Sequence, residues 1–287
     1  MTALVGIIGG SGLYQMEALK IEEERVVDTP FGSPSDAVMF GTLGGRRVAF
    51  IPRHGRGHRI PPHQINYRAN IYALKSLGVE QIISVSAVGS LREDMPPGDI
   101  VVVDQFVDRT KQRCDTFFED GIVGHVSFAD PVCKYLRKHI IESARKLNLK
   151  HHEKGIYICI EGPMFSSKAE SEMYRRWGMD IIGMTNYQEA KLALEAEISY
   201  ATIALVTDYD CWHPSHENVD VSMVVSTMKK NVANVQKLLV DMIPHLPSYP
   251  DAPARNVLKY AIQIEPSKIT LDAKKRLTPI IGKYFPA

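Results

Sequence analysis

Short apolar runs recur along the chain, and most stop at glycine, proline or a charged residue. "ALVGII" (Ala3–Ile8) stops at Gly9-Gly10-Ser11-Gly12, and "RRVAFIP" (Arg46–Pro52) stops at Arg53-His54. "QIISVSAVG" (Gln81–Gly89), "DIVVVDQFVD" (Asp99–Asp108), "GIYICIEG" (Gly155–Gly162), "DIIGM" (Asp180–Met184) and "YATIALVTD" (Tyr200–Asp208) follow the same form. Runs this continuous read as strands covered on both faces, as in α/β sheets.

Between them the period changes to that of a helix. Tyr67, Ile71 and Leu74 fall at i, i+4 and i+7, with Gly78 placed for a left-handed C-terminal cap. "SSKAESEMYRRWG" carries a capping-box pattern from Ser167 to Glu170 and a stop at Gly178. "NYQEAKLALEAE" carries a second such pattern, Asn186 to Glu189. A long stripe follows at Val221, Val224, Val225, Met228, Val232, Val235, Leu239 and Met242. The alternation predicts an α/β fold: three layers, with a mixed twisted central sheet flanked by helices. The proline-rich break "PHLPSYPDAP" ends it. We expect a single α/β domain over 1–244 and a C-terminal extension over 245–287, packed on that domain or on a neighbouring subunit.

Composition narrows the function classes. A formal net charge of +1 over 287 residues argues against a nucleic-acid reader, which would show a basic face. Cys114, Cys133, Cys159 and Cys211 form no CxxC pair and no zinc spacing, so reduced, mostly buried thiols are expected. The start "MTALVGIIGG" lacks the regions of a signal peptide. No run approaches the roughly 18–20 apolar residues of a membrane span. A cytoplasmic protein with no membrane partner is expected.

In open α/β sheets ligands bind beyond the carboxyl ends of the strands, so the residues that end each run carry the candidate chemistry. "GGSG" has neither dinucleotide nor P-loop spacing, but its amides and Ser11 suit an anion. "PRHGRGHRIPPHQ" gathers Arg53, His54, Arg56, His58, Arg59 and His63, which favours a phosphate-type anion. Ser86 ends a strand ahead of Gly89, and Met184-Thr185 precedes a helix N-terminus, again suited to an anion. "IEGPMFSS" offers Glu161, Ser166 and, in Phe165, either a core residue or a ligand platform. In "TDYDCW", Asp208 and Asp210 stand at i, i+2, which on a strand would point both carboxylates one way. A metal pair, a cap for the next segment and a reader of a heterocyclic base all remain open there.

These motifs together resemble the trimeric purine nucleoside phosphorylase family, in the branch that cleaves 5′-methylthioadenosine. The likeness runs through "GIIGGSGLY", "DTPFGSPSD", "RHGRGH", "NYRANIYALKSLG", "SAVGSLRE", "PGDIVVVDQFVDRT", "EGPMFSS", "GMTN" and "TDYDCW", from about Val5 to the 240s. It implies phosphorolysis of 5′-methylthioadenosine to adenine and 5-methylthioribose 1-phosphate. It implies no metal or organic cofactor, with inorganic phosphate as co-substrate, and a homotrimer or a dimer of trimers. Ser11, Arg53, His54, Ser86, Ala87 (through its backbone N–H) and Thr185 would hold phosphate. Met184 would pack on the ribose and Phe165 would face the purine. Asp208 would meet N7 as the catalytic residue, with Asp210 beside it near the 6-amino group. Val221, Val224 and Val225 would line the methylthio pocket, and His125 would reach into a neighbouring subunit's site.

The 6-oxopurine members of the family carry Asn and Glu where this chain has Asp208 and Ser166, which favours adenine-type bases. The alternatives are the same chemistry on methylthioinosine, inosine, guanosine or adenosine, and a non-catalytic nucleoside- or phosphate-binding protein. Three features depart from the family pattern: Met164 stands for an Arg, Gln188 stands for a Pro before Glu189, and the tail from Ser248 is long. Little is expected of Gln188, since Pro is only a favoured option in a helix's first turn.

Overall fold

The computed structural model describes residues 4–10, 13, 16–214 and 221–285, with the backbone alone for 221–226. Its strands are β1 (Leu4–Gly9), β2 (Leu19–Arg25), β3 (Val38–Leu43), β4 (Arg46–Pro52), β5 (Val79–Ser90), β6 (Ile100–Val102), β7 (Gln105–Arg109), β8 (His151–His152), β9 (Ile156–Ile160), β10 (Ile181–Gly183) and β11 (Ser199–Asp208). The α-helices are α1 (Tyr67–Ser76), α2 (Lys134–Lys146), α3 (Lys168–Arg176), α4 (Asn186–Glu195), α5 (Val221–Met242), α6 (Leu271–Arg276) and α7 (Thr278–Ile281).

All these strands join one mixed sheet. Its order is β2-β3-β4-β1-β5-β10-β9-β7, and β11 takes the other side of β5 and leads to β6 and β8. β1, β4, β5 and β11 run parallel. β10 meets β5 antiparallel. Alternate residues divide the core. Ile8, Ile51, Ile82 and Tyr200 pack with α1 and α4 on one face. Val5, Ile7, Phe50, Ile83 and Ile203 pack with α2 and α5 on the other. The result is three layers, with the apolar runs buried twice over as their composition requires.

Two features of β5 create the site. On one side β11 pairs with it from Gln81 to Gly89. On the other side β1 stops pairing at Ser84, and β10 arrives from the opposite direction only at Gly89 and Ser90. Residues 85–88 of β5 therefore lack a strand on that side. The carboxyl ends of β1 and β10 point at each other across this gap, which is the kind of place where an α/β sheet accepts a ligand.

Several local details differ from the sequence reading. The run 99–108 is two strands: β6 joins β11 and β8, and β7 joins β9. Asp104 interrupts it, accepting from Gly155 N–H at 2.9 Å. The Ser167–Glu170 capping box forms, whereas the Asn186–Glu189 one does not. Thr185 is the N-cap of α4 without a side-chain cap bond, because Asn186 and Glu189 turn inward to a polar network. Cys133 and Cys159 are buried, Cys211 is half-buried and Cys114 is exposed; all four are free thiols.

The extension packs on the α1/α4 face. Leu258, Ala261, Ile269, Ala273, Leu277, Ile280 and Ile281 join that core together with Phe117, Phe118 and Ile122. Buried Glu197 anchors it, accepting from Leu258 N–H at 3.0 Å and the Tyr284 hydroxyl at 2.7 Å, and pairing with Lys283 at 2.6 Å.

Candidate active site

The end of β4 is tied to the end of β1, with Arg53 N–H donating to Gly9 O at 3.0 Å. From there the Arg53 side chain turns into the core and is 2% exposed. Its Nε and Nη2 donate to Glu189 Oε1 and Oε2 at 2.5 and 3.1 Å. Nη2 also donates to Ser84 Oγ at 2.6 Å, and Nη1 to Val85 O at 2.9 Å. Of its five N–H donors, one on Nη1 has no partner among the described residues. Glu189 in turn accepts from the Ser84 and Tyr200 hydroxyls at 2.7 and 3.0 Å. Asn186 donates to Ser84, Tyr200 and Thr202. A buried network of this kind fixes β5 against α4 beneath the gap.

The other residues of "RHGRGH" diverge. His54 Nδ1 lies 2.8 Å from Ile60 O, and its ring stacks on His58 at 4.2 Å. Burial, with the Arg53 charge adding to it, lowers the His54 pKa to about 4, so the ring is neutral at pH 7. Neutral and donating from Nδ1, the ring has Nε2 as an acceptor. Arg56 faces outward to Asp36 and Glu24, and Arg59 donates to Ser35 O at 2.9 Å. The structure thus brings Arg53, but not the whole basic run, to the gap, with His54 following it in the chain and packed on His58.

Ser86 and Ala87 lie on the strandless stretch of β5, and the Ser86 hydroxyl donates to its neighbour's carbonyl, Ala87 O, at 3.2 Å. Thr185 faces them from the end of β10. The buried Tyr157 hydroxyl meets both loops: it accepts from Thr185 N–H at 3.3 Å and interacts with the Ser86 side chain. Tyr157 can reach there because residue 183 is glycine; a Cβ at Gly183 would sit 2.0 Å from the phenol oxygen. Ser11 lies outside the described residues.

The next loop brings Met184 against Gly162, where a Cβ would meet Met184 Sδ at 2.6 Å and φ is +65°. Beyond Gly162, Met164 and Phe165 are 84% and 43% exposed. Cys211 Sγ contacts Ser166 O at 3.3 Å and ties this loop to the end of β11.

Asp208 and Asp210 occupy that end, 6% and 5% exposed. β11 stops at Asp208, and Asp210 sits in a turn with φ +52°, a conformation that Asp tolerates better than most residues. The two carboxylates are therefore brought together by a turn and not by strand alternation. Asp208 Oδ1 accepts from Asp210 N–H at 2.8 Å, and Oδ2 accepts from the Thr207 hydroxyl at 2.6 Å. Gly89 is the surface beneath them; a Cβ there would approach Asp208 Oδ1 to 2.8 Å and Asp210 Cβ to 3.4 Å. No salt bridge among the described residues involves either carboxylate. Burial raises the Asp208 pKa against the two hydrogen bonds. It raises Asp210 to about 6, with the Asp208 charge contributing. No group of three or more His, Cys, Asp or Glu side chains suited to a metal occurs among the described residues.

The remaining expected residues lie apart from this cluster or beyond description. His125 is exposed, and its segment is held by the extension through a Gly124–Ile262 bridge and His125 N–H to Ala261 O at 2.9 Å. The side chains of Val221, Val224 and Val225 lie outside the described residues. Sequence reading missed Arg113, Tyr157 and Glu189 as parts of the site. Tyr157 is hidden inside an apolar run, and Glu189 reads as a capping residue. Arg113 lies in the irregular segment after β7, where no period marks it.

Comparison with known proteins agrees with this geometry. The sequence profile described as the phosphorylase superfamily matches residues 4–244. The chain is 51% identical over 290 residues to an S-methyl-5′-thioadenosine phosphorylase of Synechocystis sp., covering 100% of this chain and 89% of that protein. A crystal structure of methylthioadenosine phosphorylase sourced from an antarctic soil metagenomic library superposes with a TM-score of 0.91 at 46% identity, covering 97% of this chain and 99% of that one. Methylthioadenosine phosphorylase from Schistosoma mansoni in complex with adenine superposes with a TM-score of 0.81 at 40% identity, covering 84% and 91%. The chain therefore belongs to the phosphorylase superfamily and, within it, to the family of the S-methyl-5′-thioadenosine phosphorylases.

Proposed function

We propose that the chain catalyses phosphorolysis of 5′-methylthioadenosine, giving adenine and 5-methylthioribose 1-phosphate. The observation that carries this reading is the buried Asp208/Asp210 pair, without a counter-cation among the described residues, at one end of a gap whose other end is lined by donors. The Schistosoma relative, solved with adenine, supports a purine at such a site.

Phosphate is held by the remaining Nη1–H of Arg53, the Ser86 and Thr185 hydroxyls and the Ala87 N–H, with Ser11 completing the set. Neutral His54 accepts a hydrogen bond at Nε2 from the protonated oxygen of hydrogen phosphate. A phosphate oxygen attacks C1′ of the ribose as the C1′–N9 bond breaks, and the bonding pair leaves with the purine. Holding both reactants converts an encounter into a positioned attack. Protonated Asp208 donates to N7, where the charge of the leaving base gathers, and is reprotonated from solvent after adenine departs. Burial favours the protonated form of Asp208 by raising its pKa. Asp210 lies beside it as an acceptor for the 6-amino group. Met184 packs on the ribose, Phe165 faces the base, and Val221, Val224 and Val225 receive the methylthio group.

His125 completes the site of a neighbouring subunit in a homotrimer, which accounts for its position on an exposed segment. The reaction uses no metal or organic cofactor, and the enzyme works in the cytoplasm.

The test is a panel of nucleosides incubated with and without phosphate, with the released base identified. Phosphate-dependent release of adenine from methylthioadenosine, ahead of any release from inosine or guanosine, is expected. Faster cleavage of inosine overturns the base assignment, and absence of phosphate dependence overturns the reaction.

A further inference from the structure

Arg113 belongs to none of the elements that carry the substrate contacts, yet it binds the loops after both β9 and β10. Its side chain is 2% exposed. Nε donates to Glu161 Oε1 at 3.2 Å, and Nη2 donates to Glu161 O at 2.7 Å and Ile160 O at 3.1 Å. Nη1 donates to Met184 O at 2.7 Å and Gln188 Oε1 at 2.8 Å, with the Tyr67 hydroxyl at 3.1 Å. All five N–H donors are thus engaged, and three of the acceptors are main-chain carbonyls.

Those carbonyls belong to the two loops that close on each other at Gly162 and Met184. The Met184 carbonyl shares a peptide unit with Thr185 N–H, which donates to the Tyr157 hydroxyl at 3.3 Å. That peptide is gripped at both ends, by Arg113 on the ribose side and by Tyr157 on the phosphate side. Gln188 completes the arrangement. It is fully buried, accepts from Arg113 and donates from Nε2 to Thr110 Oγ1 at 2.9 Å. A proline at this position could form neither bond, so the residue that looked inconsequential in the sequence joins Arg113 to the end of β7.

We propose that Arg113, braced by Gln188, is a positioning residue that sets the spacing between the nucleoside-binding loop and the phosphate-binding Thr185. This rests on the reading of Met184, Phe165 and Thr185 as substrate contacts. A guanidinium spans two loops through its fixed fork, whereas a lysine ammonium has three donors at one point. The consequence is felt in the chemical step more than in binding, because each substrate keeps its own contacts while their alignment is lost.

The experiment compares Arg113→Met, Arg113→Lys and Gln188→Met by steady-state kinetics with methylthioadenosine and phosphate, alongside Thr185→Ala and Phe165→Ala. Arg113→Met and Arg113→Lys should both lower kcat by about 100-fold, the loss expected for an alignment error near 1 Å, with each KM within about threefold. Gln188→Met should lower kcat by about tenfold and add nothing further on top of Arg113→Lys. Full activity in Arg113→Lys, a loss confined to one KM, or additive losses would overturn the proposal. If an Arg113 variant fails to fold, the kcat of Gln188→Met decides it, an unchanged value counting against. If Thr185→Ala and Phe165→Ala leave both KM values unchanged, the site reading itself fails, whatever Arg113 does.

Discussion

Arg53 and Asp208 lie at the ends of parallel strands of one sheet and are almost equally buried, but among the described residues only Arg53 has a counter-charge. Glu189 answers it with two hydrogen bonds, and α4, β5 and β11 surround the pair with hydroxyls and an amide. Asp208 has instead a second carboxylate, Asp210, beside it. One end of the site is thus settled electrostatically before any ligand arrives, and at the other burial shifts both carboxyls toward their protonated forms. A base leaving with its bonding pair requires the second arrangement, while a phosphate that brings its own charge needs fixed donors more than extra cations. Fold rigidity and chemical reactivity are handled by different charges.

Removing the compensation at the settled end should have the largest effect on stability. Glu189→Gln leaves the buried Arg53 cation without its partner, at a cost of about 3–5 kcal/mol, read as a fall in Tm. Millimolar phosphate should raise the Tm of this variant more than that of the wild type, because the anion restores the missing charge. Equal shifts would separate Arg53 from the phosphate.

At the reactive end the sign reverses. A carboxyl whose folded pKa is raised opposes folding once it ionises. The penalty is absent below the ordinary value of 3.8, grows as pH rises, and is complete above about 6. That rise corresponds to ~3 kcal/mol as an upper bound. Asp210→Asn keeps a residue type suited to positive φ, so it should stabilise the protein at pH 7, and the gain should disappear below pH 4. A gain independent of pH would mean that the charge of Asp210 is not its source. The smallest effect is expected outside the site. Arg56→Ala breaks a solvent-facing pair with Asp36, so stability should change by less than about 1 kcal/mol and the phosphate KM by less than about twofold. A large rise in that KM would restore the basic loop as a collective anion trap.

The doubly buried strands were legible because nothing else in a soluble chain needs such apolar runs, and Arg46–Pro52 matches β4 residue for residue. β2 was not, since "LKIEEER" is an exposed edge strand whose pairing with β3 comes from tertiary context. α2 went unread although its buried residues Leu136, Ile140, Ser143 and Ala144 keep helical spacing, because polar residues dominate the segment. Around the gap, strand-end logic pointed to Arg53, Ser86, Thr185 and Asp208, which the fold places at or near the ends of β4, β5, β10 and β11. It gave the right neighbours for a wrong reason at Asp210, where a left-handed turn does what strand alternation was expected to do. Arg113, Gln188 and Glu189 were invisible or misread because their meaning lies mostly in partners between 29 and 136 positions away or in inward rotation of a helix's first turn.

The Asp208→Asn variant, assayed on methylthioadenosine and on methylthioinosine with phosphate, tests the charge asymmetry most directly. Asparagine keeps the shape of the side chain but cannot release a proton to N7. The account predicts a fall in kcat/KM for methylthioadenosine of about 100- to 1,000-fold, the loss typical of one preorganised donor, and a preference moved toward the 6-oxo substrate. Wild-type kcat/KM with unchanged preference would contradict it.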